Sequence, residues 1–285
     1  MSMTVLDRHE MSSLPRSAAQ PRWQDGDAPL PSIYLSHGYP GLLDDELWLS
    51  ELFEWAMSMP KPRGVVVVSA HWENAPTSIT SPTANTPLVY DFGGFEQRFY
   101  ELTYPTPDAS TLGARIAAMM PDTESLHVDH NRGLDHGAWV PLRAMYPLAD
   151  VPALQVSMPT HSPERLMDLG RHLRQLRHEG YLVVGSGFMT HGMPSRQLLL
   201  GTTAEPESWS VDFDSWAAQL LDDGDVAGLS RFRTDAPGMP YAHPTVEHFT
   251  PLFITLGAAD DPEGPVKTTI EGYKIGLSKR SFQLA

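Results

Sequence analysis

Residues 65–74 read VVVVSAHWEN. Four consecutive β-branched residues predict a strand buried on both faces, as in a parallel sheet covered by helices on each side. The run ends in His71 and Trp72, so a strand suited to a dry interior carries an imidazole at its C-terminal tip. Two other runs repeat the arrangement. SIYLSHGYPG (residues 32–41) reads as a strand that delivers His37 before breaking at Gly38 and Pro40. YLVVGSGFMTHGM (residues 181–193) reads as a strand whose Gly-rich end delivers His191. In open α/β sheets the rim at the C-terminal ends of the strands is where ligands bind.

Helical periodicity fills the intervals. DDELWLSELFEWAMSM (44–59), DASTLGARIAAMM (108–120), HGAWVPLRAMYP (136–147) and SPERLMDLGRHLRQLRHEG (162–180) all read as helices. SWSVDFDSWAAQLLDDGD (208–225) and TVEHFTPLFITLGAA (245–259) do the same, VPALQVSM (151–158) is a further strand, and residues 266–285 alternate like a terminal hairpin. The expected fold is α/β, with a central, mostly parallel or mixed sheet covered by helices on both faces. Residues 1–29 are polar and rich in Ser, Pro and Asp, and are expected to be a flexible N-terminal arm; residues 30–285 are read as a single α/β domain. Residues 75–106 form a long loop carrying many aromatics, and loops of that length usually serve function.

Thirty-five acids against 20 bases give a formal charge of −15. Nucleic acid and anionic membrane surfaces are therefore poor partners, since both require a basic footprint. Without a single cysteine, disulfides, thiolate zinc sites, iron–sulfur clusters and a cysteine nucleophile are excluded. No apolar stretch approaches a membrane span, and the first twenty residues lack the apolar core of a secretory signal, so a cytoplasmic enzyme is expected. GSGFMTHG (185–192) falls short of a dinucleotide loop because Thr190 stands where the third glycine belongs.

The chain has twelve histidines. His37, His71 and His191 follow predicted buried strands, whereas His136 (GLDHGAW) and His248 (TVEHF) lie at or near helix starts. His9, His127, His161, His172 and His178 are read as surface residues. Singly, each of the first group could be a packed ring with both nitrogens satisfied. Jointly, imidazoles on one sheet edge in a chain without cysteine point to a histidine-rich metal site.

From Ser32 onward the ordered set SHGYP, VVVVSAHWE, YDFGGFEQRFYELTYPTP, RGLDHGAWVPLRAMYPLADVPALQVSM, VVGSGFMTHGM and EHFTPLFITLGAAD resembles the DOPA-dioxygenase branch of the class III (LigB-like) extradiol ring-cleaving dioxygenases. The resemblance implies a LigB-like fold with His37, His71 and His248 as metal ligands. It implies His191 as general base and His136 as a second histidine near substrate and oxygen. AHPTVEHF holds two histidines; the ligand role goes to His248, and His243 is left as a pocket residue or bystander. The reaction implied is cleavage of a catechol ring next to the diol by Fe(II) and O2, giving a muconic semialdehyde. Zn(II) is an expected occupant of the same site in a purified sample.

Trp72 and Phe92 are candidate stacking partners for a flat ring, alongside Tyr90 and Phe95, or else they pack the loop to the body. Arg132 either meets a substrate carboxylate or braces its loop. Two other classes compete: a zinc-dependent hydrolase using the same three histidines, and a non-catalytic metal-binding relative. The partners expected are a small catechol and O2, with a homo-oligomer left open.

Overall fold

The structure is a computed structural model that describes residues 3–121 and 125–285. In chain order it forms α1 (Val5–Ala19), β1 (Ser32–Ser36), α2 (Glu46–Met57), β2 (Gly64–Glu73), β3 (Ser78–Thr80), α3 (Ser110–Met119), β4 (His127–Asp129), α4 (His136–Met145), β5 (Ala153–Met158), α5 (Pro163–His178) and β6 (Tyr181–Gly187). Then follow α6 (Arg196–Leu199), α7 (Ser208–Asp222), α8 (Val226–Ser230), α9 (Phe232–Asp235), α10 (Pro251–Ala258), β7 (Lys267–Ile270), β8 (Tyr273–Lys274), β9 (Leu277–Ser278) and β10 (Ser281–Leu284). Among these described residues, no helix is long and apolar enough to cross a membrane.

Eight strands join in the order β4-β3-β5-β2-β6-β1-β10-β7. The central four, β5-β2-β6-β1, are parallel, while β3 against β5 and β10 against β1 and β7 are antiparallel. The sheet is thus mixed with a parallel heart. The valine run sits at its centre and feeds both faces. Val65 and Val67 pack into one core with Trp48, Leu52 and Trp139, whereas Val66 and Val68 pack into the other with Leu173, Phe249 and Phe253. Each such buried side chain contributes roughly 1.5–3 kcal/mol, so alternation cannot slip by one residue without large loss. Because β1, β2 and β6 are parallel neighbours, their C-terminal ends share one rim.

The N-terminal segment differs from the flexible arm expected of it. Thr4 and Asp7 form a reciprocal capping box that starts α1. Leu6 and Trp23 are buried, and the Gln20 amide donates to the Ala56 and Met59 carbonyls at 2.8 and 3.0 Å. Glu10 pairs with Arg143 at 2.7 Å. Composition misled because this segment docks largely through polar groups. At the other end, α10 begins only at Pro251, so His248 lies in the turn before the helix rather than within one. Residues 81–109 form an irregular strap, with one 3-10 turn at Gln97–Tyr100. The strap is pinned by Ser81 N–H to the Arg132 carbonyl (2.9 Å), Val89 N–H to Leu134 (2.8 Å) and the Tyr90 hydroxyl to Leu102 (2.6 Å).

Candidate metal centre and active site

Each candidate histidine reaches the rim by its own route. His37 continues β1, and its N–H donates to the Gly187 carbonyl of β6 at 2.9 Å. His71 lies where β2 loses register with β5: Val68 faces Val156 and Glu73 faces Met158, five steps on one strand against two on the other. Such bulges re-aim side chains beside functional sites. His248 is carried by a turn pressed onto the end of β6. Its carbonyl accepts from Phe188 N–H (2.9 Å) and the Tyr34 hydroxyl (3.0 Å). A side chain on Gly187 would overlap that carbonyl, so only glycine permits the approach.

The three rings converge through their Nε2 atoms. His37 and His71 Nε2 are 3.0 Å apart, and His71 and His248 Nε2 are 3.2 Å apart. These three residues form a group whose donor atoms suit a metal ion. Every Nδ1 faces an acceptor. His37 Nδ1 is 3.0 Å from Ser186 Oγ, whose own proton goes to the Gly137 carbonyl at 2.5 Å. His71 Nδ1 is 3.3 Å from Asp91 Oδ2, and His248 Nδ1 is 2.9 Å from Glu247 Oε1. A carboxylate can only accept, so the ring protons belong on Nδ1 and the three Nε2 atoms face one another as lone pairs.

Three lone pairs at that separation repel unless a cation lies between them. Metal–nitrogen bonds of about 2.1 Å subtending 90–109° place the nitrogens about 3.0–3.4 Å apart. The donor set fits a metal. Burial first, then the neighbouring imidazoles, holds both His37 and His71 far below the ordinary histidine pKa, which keeps these rings neutral, the state metal binding requires.

Two further rings complete the cluster. His191 is held by its N–H to the Ala242 carbonyl (2.8 Å), and its ring stacks on His248 at 3.5 Å with planes 6° apart. It keeps an exposed edge at the rim, yet dense packing desolvates the rest of the ring, and this first, then His248, lowers its pKa. His136 is the first residue of α4 and its ring centre lies 3.9 Å from that of His71. Phe188 flanks His37 and His191 at 6.4 and 6.3 Å, and Phe92 from the strap meets His136 edge-on at 5.6 Å.

Other expected residues lie elsewhere. His243 is buried with Nε2 3.0 Å from the Met189 carbonyl and its ring against Phe213 and Phe249, so it packs the core behind the rim instead of contacting substrate. Arg132 braces rather than waiting for a carboxylate. It pairs with Asp135 at 3.2 Å, reaches the His71 carbonyl at 3.4 Å and lies over the Trp72 ring at 4.7 Å. Trp72 is thereby engaged by Arg132. Asp135 stands at the start of α4 but makes no side-chain cap. Instead it is fully buried and accepts from Ser69 Oγ (2.9 Å) and Gln155 Nε2 (2.7 Å), and burial raises its pKa.

Sequence reading missed Asp91, Ser186 and Glu247. Glu247 adjoins a ligand and Ser186 alternates with two glycines on a rim strand, signals that were available; Asp91 had none beyond its aromatic loop.

A family model described as the catalytic LigB subunit of aromatic ring-opening dioxygenase matches residues 31–278. The 4,5-DOPA dioxygenase extradiol of Beta vulgaris is 37% identical over 245 residues, 81% of this chain and 87% of the relative. The Escherichia coli protein of the same name is 34% identical over 260 residues, 90% of this chain and 94% of the relative. A crystal structure of an uncharacterized Escherichia coli K12 protein superposes with a TM-score of 0.74 at 31% identity, covering 90% of this chain and all of the other.

Proposed function

The chain belongs to the LigB family of aromatic ring-opening dioxygenases, and from that premise we propose that it is an extradiol dioxygenase that uses Fe(II) and O2 to open a DOPA-like catechol next to its diol, giving a muconic semialdehyde. The observation that carries this reading is the convergence of His37, His71 and His248 Nε2, each ring tied at Nδ1. These three would hold the metal. When bound, the metal would supply the electronic path by which a closed-shell catechol and triplet oxygen react.

The protein's residues supply position and proton management. Three neutral ligands favour an anionic catechol, so one hydroxyl must lose its proton. His191 is exposed at the rim, neutral at physiological pH, and stacked beside a ligand; it takes that hydroxyl proton and returns it to the product. His136 donates Nδ1–H to Asp91 at 2.7 Å, which leaves its Nε2 for the oxygen side of the site. Phe92 and Phe188 wall the rings and exclude water, and Phe92 offers its surface to the substrate ring.

The test is anaerobic reconstitution with Fe(II), followed by a catechol panel that includes L-DOPA. Oxygen uptake with formation of a yellow product supports the reading. A zinc hydrolase would consume no oxygen, and a silent metal-binding relative would do neither.

A further inference from the structure

Asp91 stands in the irregular strap, yet it touches both halves of the site. Its Oδ1 lies 2.7 Å from His136 Nδ1 and 3.2 Å from the His136 backbone N–H, and its Oδ2 lies 3.3 Å from His71 Nδ1. The backbone contact fills a gap. Asp135, at the cap position of α4, spends its carboxylate on Ser69, Gln155 and Arg132, so the first amide of the helix would lack a partner. Asp91 caps it from another segment, where the helix dipole favours a negative charge. The His136 hydrogen bonds hold its carboxyl below the usual range against the opposing effect of burial.

We propose that Asp91 is a positioning residue that fixes, with one carboxylate, the ring tautomers of His71 and His136 together, so that a metal ligand and the histidine opposite it are set by a single side chain of the strap. This rests on the three-histidine reading of the centre. A carboxylate has two accepting oxygens and serves both rings. A carboxamide has one. In Asp91→Asn the amide oxygen stays with His136, which offers two donors, and the amide NH2 then faces His71 Nδ1. That contact is repulsive while Nδ1 carries the proton, so the proton moves to Nε2 and spoils the ligand.

The experiment uses the full chain with nitrogen-15-labelled histidine, free and loaded with zinc, and reads ring tautomers by NMR alongside zinc affinity by chelator competition. The expected result for Asp91→Asn is loss of Nδ1–H from His71 in the metal-free protein and zinc affinity lower by about 10–100-fold. His37 and His248, held by Ser186 and Glu247, keep their protons on Nδ1. Asp91→Ala, which removes both acceptors, should release His136 as well. A purely structural role would lower the melting temperature and leave the tautomers alone, and unchanged tautomers with unchanged zinc affinity overturn the proposal. Failure of the underlying reading looks different: the unaltered chain would bind zinc no better than His37→Ala. In that case His136 alone decides, since its Nδ1–H must still be lost in Asp91→Ala.

Discussion

Gly137, the second residue of α4, is where the helix, the valine strand and the metal centre press together. A Cβ built there overlaps Ser69 Oγ and lies 3.2 Å from both Asp135 Oδ1 and His71 Cδ2. None of these neighbours is a free end. Ser69 Oγ accepts from His71 N–H at 3.1 Å and donates to Asp135, which Gln155 holds at both its backbone and its carboxylate. Gly137→Ala should therefore be an overpacking substitution costing about 1–3 kcal/mol, against a helix-propensity gain of at most about 1 kcal/mol. The net loss of up to about 3 kcal/mol corresponds to a fall in melting temperature of up to about 5 °C, at about 2.1 cal/mol/K of unfolding entropy per residue. The same methyl displaces the His71 ring, so metal affinity should fall as well, by about tenfold or more. Thermal melting of the metal-free chain and chelator competition measure the two effects. Gly93→Ala is the control, since a Cβ there meets nothing within 4 Å. If Gly137→Ala matches the control in both measurements, the rim has slack and the rigid positioning argued for His71 is wrong.

His71→Ala should lose the metal and all activity, whereas His191→Ala should keep the metal and turn over about 10²–10⁴-fold more slowly; full metal content in His71→Ala contradicts the ligand set. Because burial and His248 lower the His191 pKa from 6.5, the neutral base persists below that pH, and the acid limb of kcat/KM should lie under pH 6.5 and vanish in His191→Ala. A limb above pH 6.5 contradicts the assignment. Burial opposes ionisation of Glu247, but the His248 hydrogen bond prevails and pushes its carboxyl from 4.5 down to about 2. A depressed carboxyl stabilises the fold above its unfolded pKa and loses that effect as pH falls through the folded value. The melting advantage of the parent over Glu247→Gln should be flat above pH 4.5 and shrink below it; growth toward acid would refute the pairing. Deletion of residues 1–20 should lower the melting temperature, because it uncovers the surface buried by Leu6 and removes the Gln20 bonds, and unchanged melting would restore the flexible-arm reading.

The parallel heart of the sheet was legible because the Val65–Val68 run, which the structure places between β5 and β6, reads as a strand buried on both faces. That placed His37, His71 and His191 on one rim before any comparison. His136 and His248 were not fixed by periodicity, since His136 opens α4 and His248 sits in a turn, and the path of each depends on distant contacts. The choice between His243 and His248 turns on Gly187, whose missing Cβ lets the His248 carbonyl dock while His243 folds inward against Phe213 and Phe249. Asp91 was illegible because the strap has no period and is held by tertiary hydrogen bonds and aromatic packing. The bracing role of Arg132 was partly readable, for Asp135 lies three residues along and Trp72 follows His71 directly.

Three imidazoles bring no charge of their own to a metal, and the structure supplies that charge from behind the rings. Two of the three rings back onto carboxylates: Asp91 behind His71 and Glu247 behind His248. Only His37 rests on a neutral group, Ser186. A divalent ion would thus sit within one imidazole's width of two compensating negative charges that never touch it. Ligation by a carboxylate would place that charge on the metal and occupy a coordination position. Placed behind the rings, it raises imidazole basicity and fixes each tautomer without taking a ligand position.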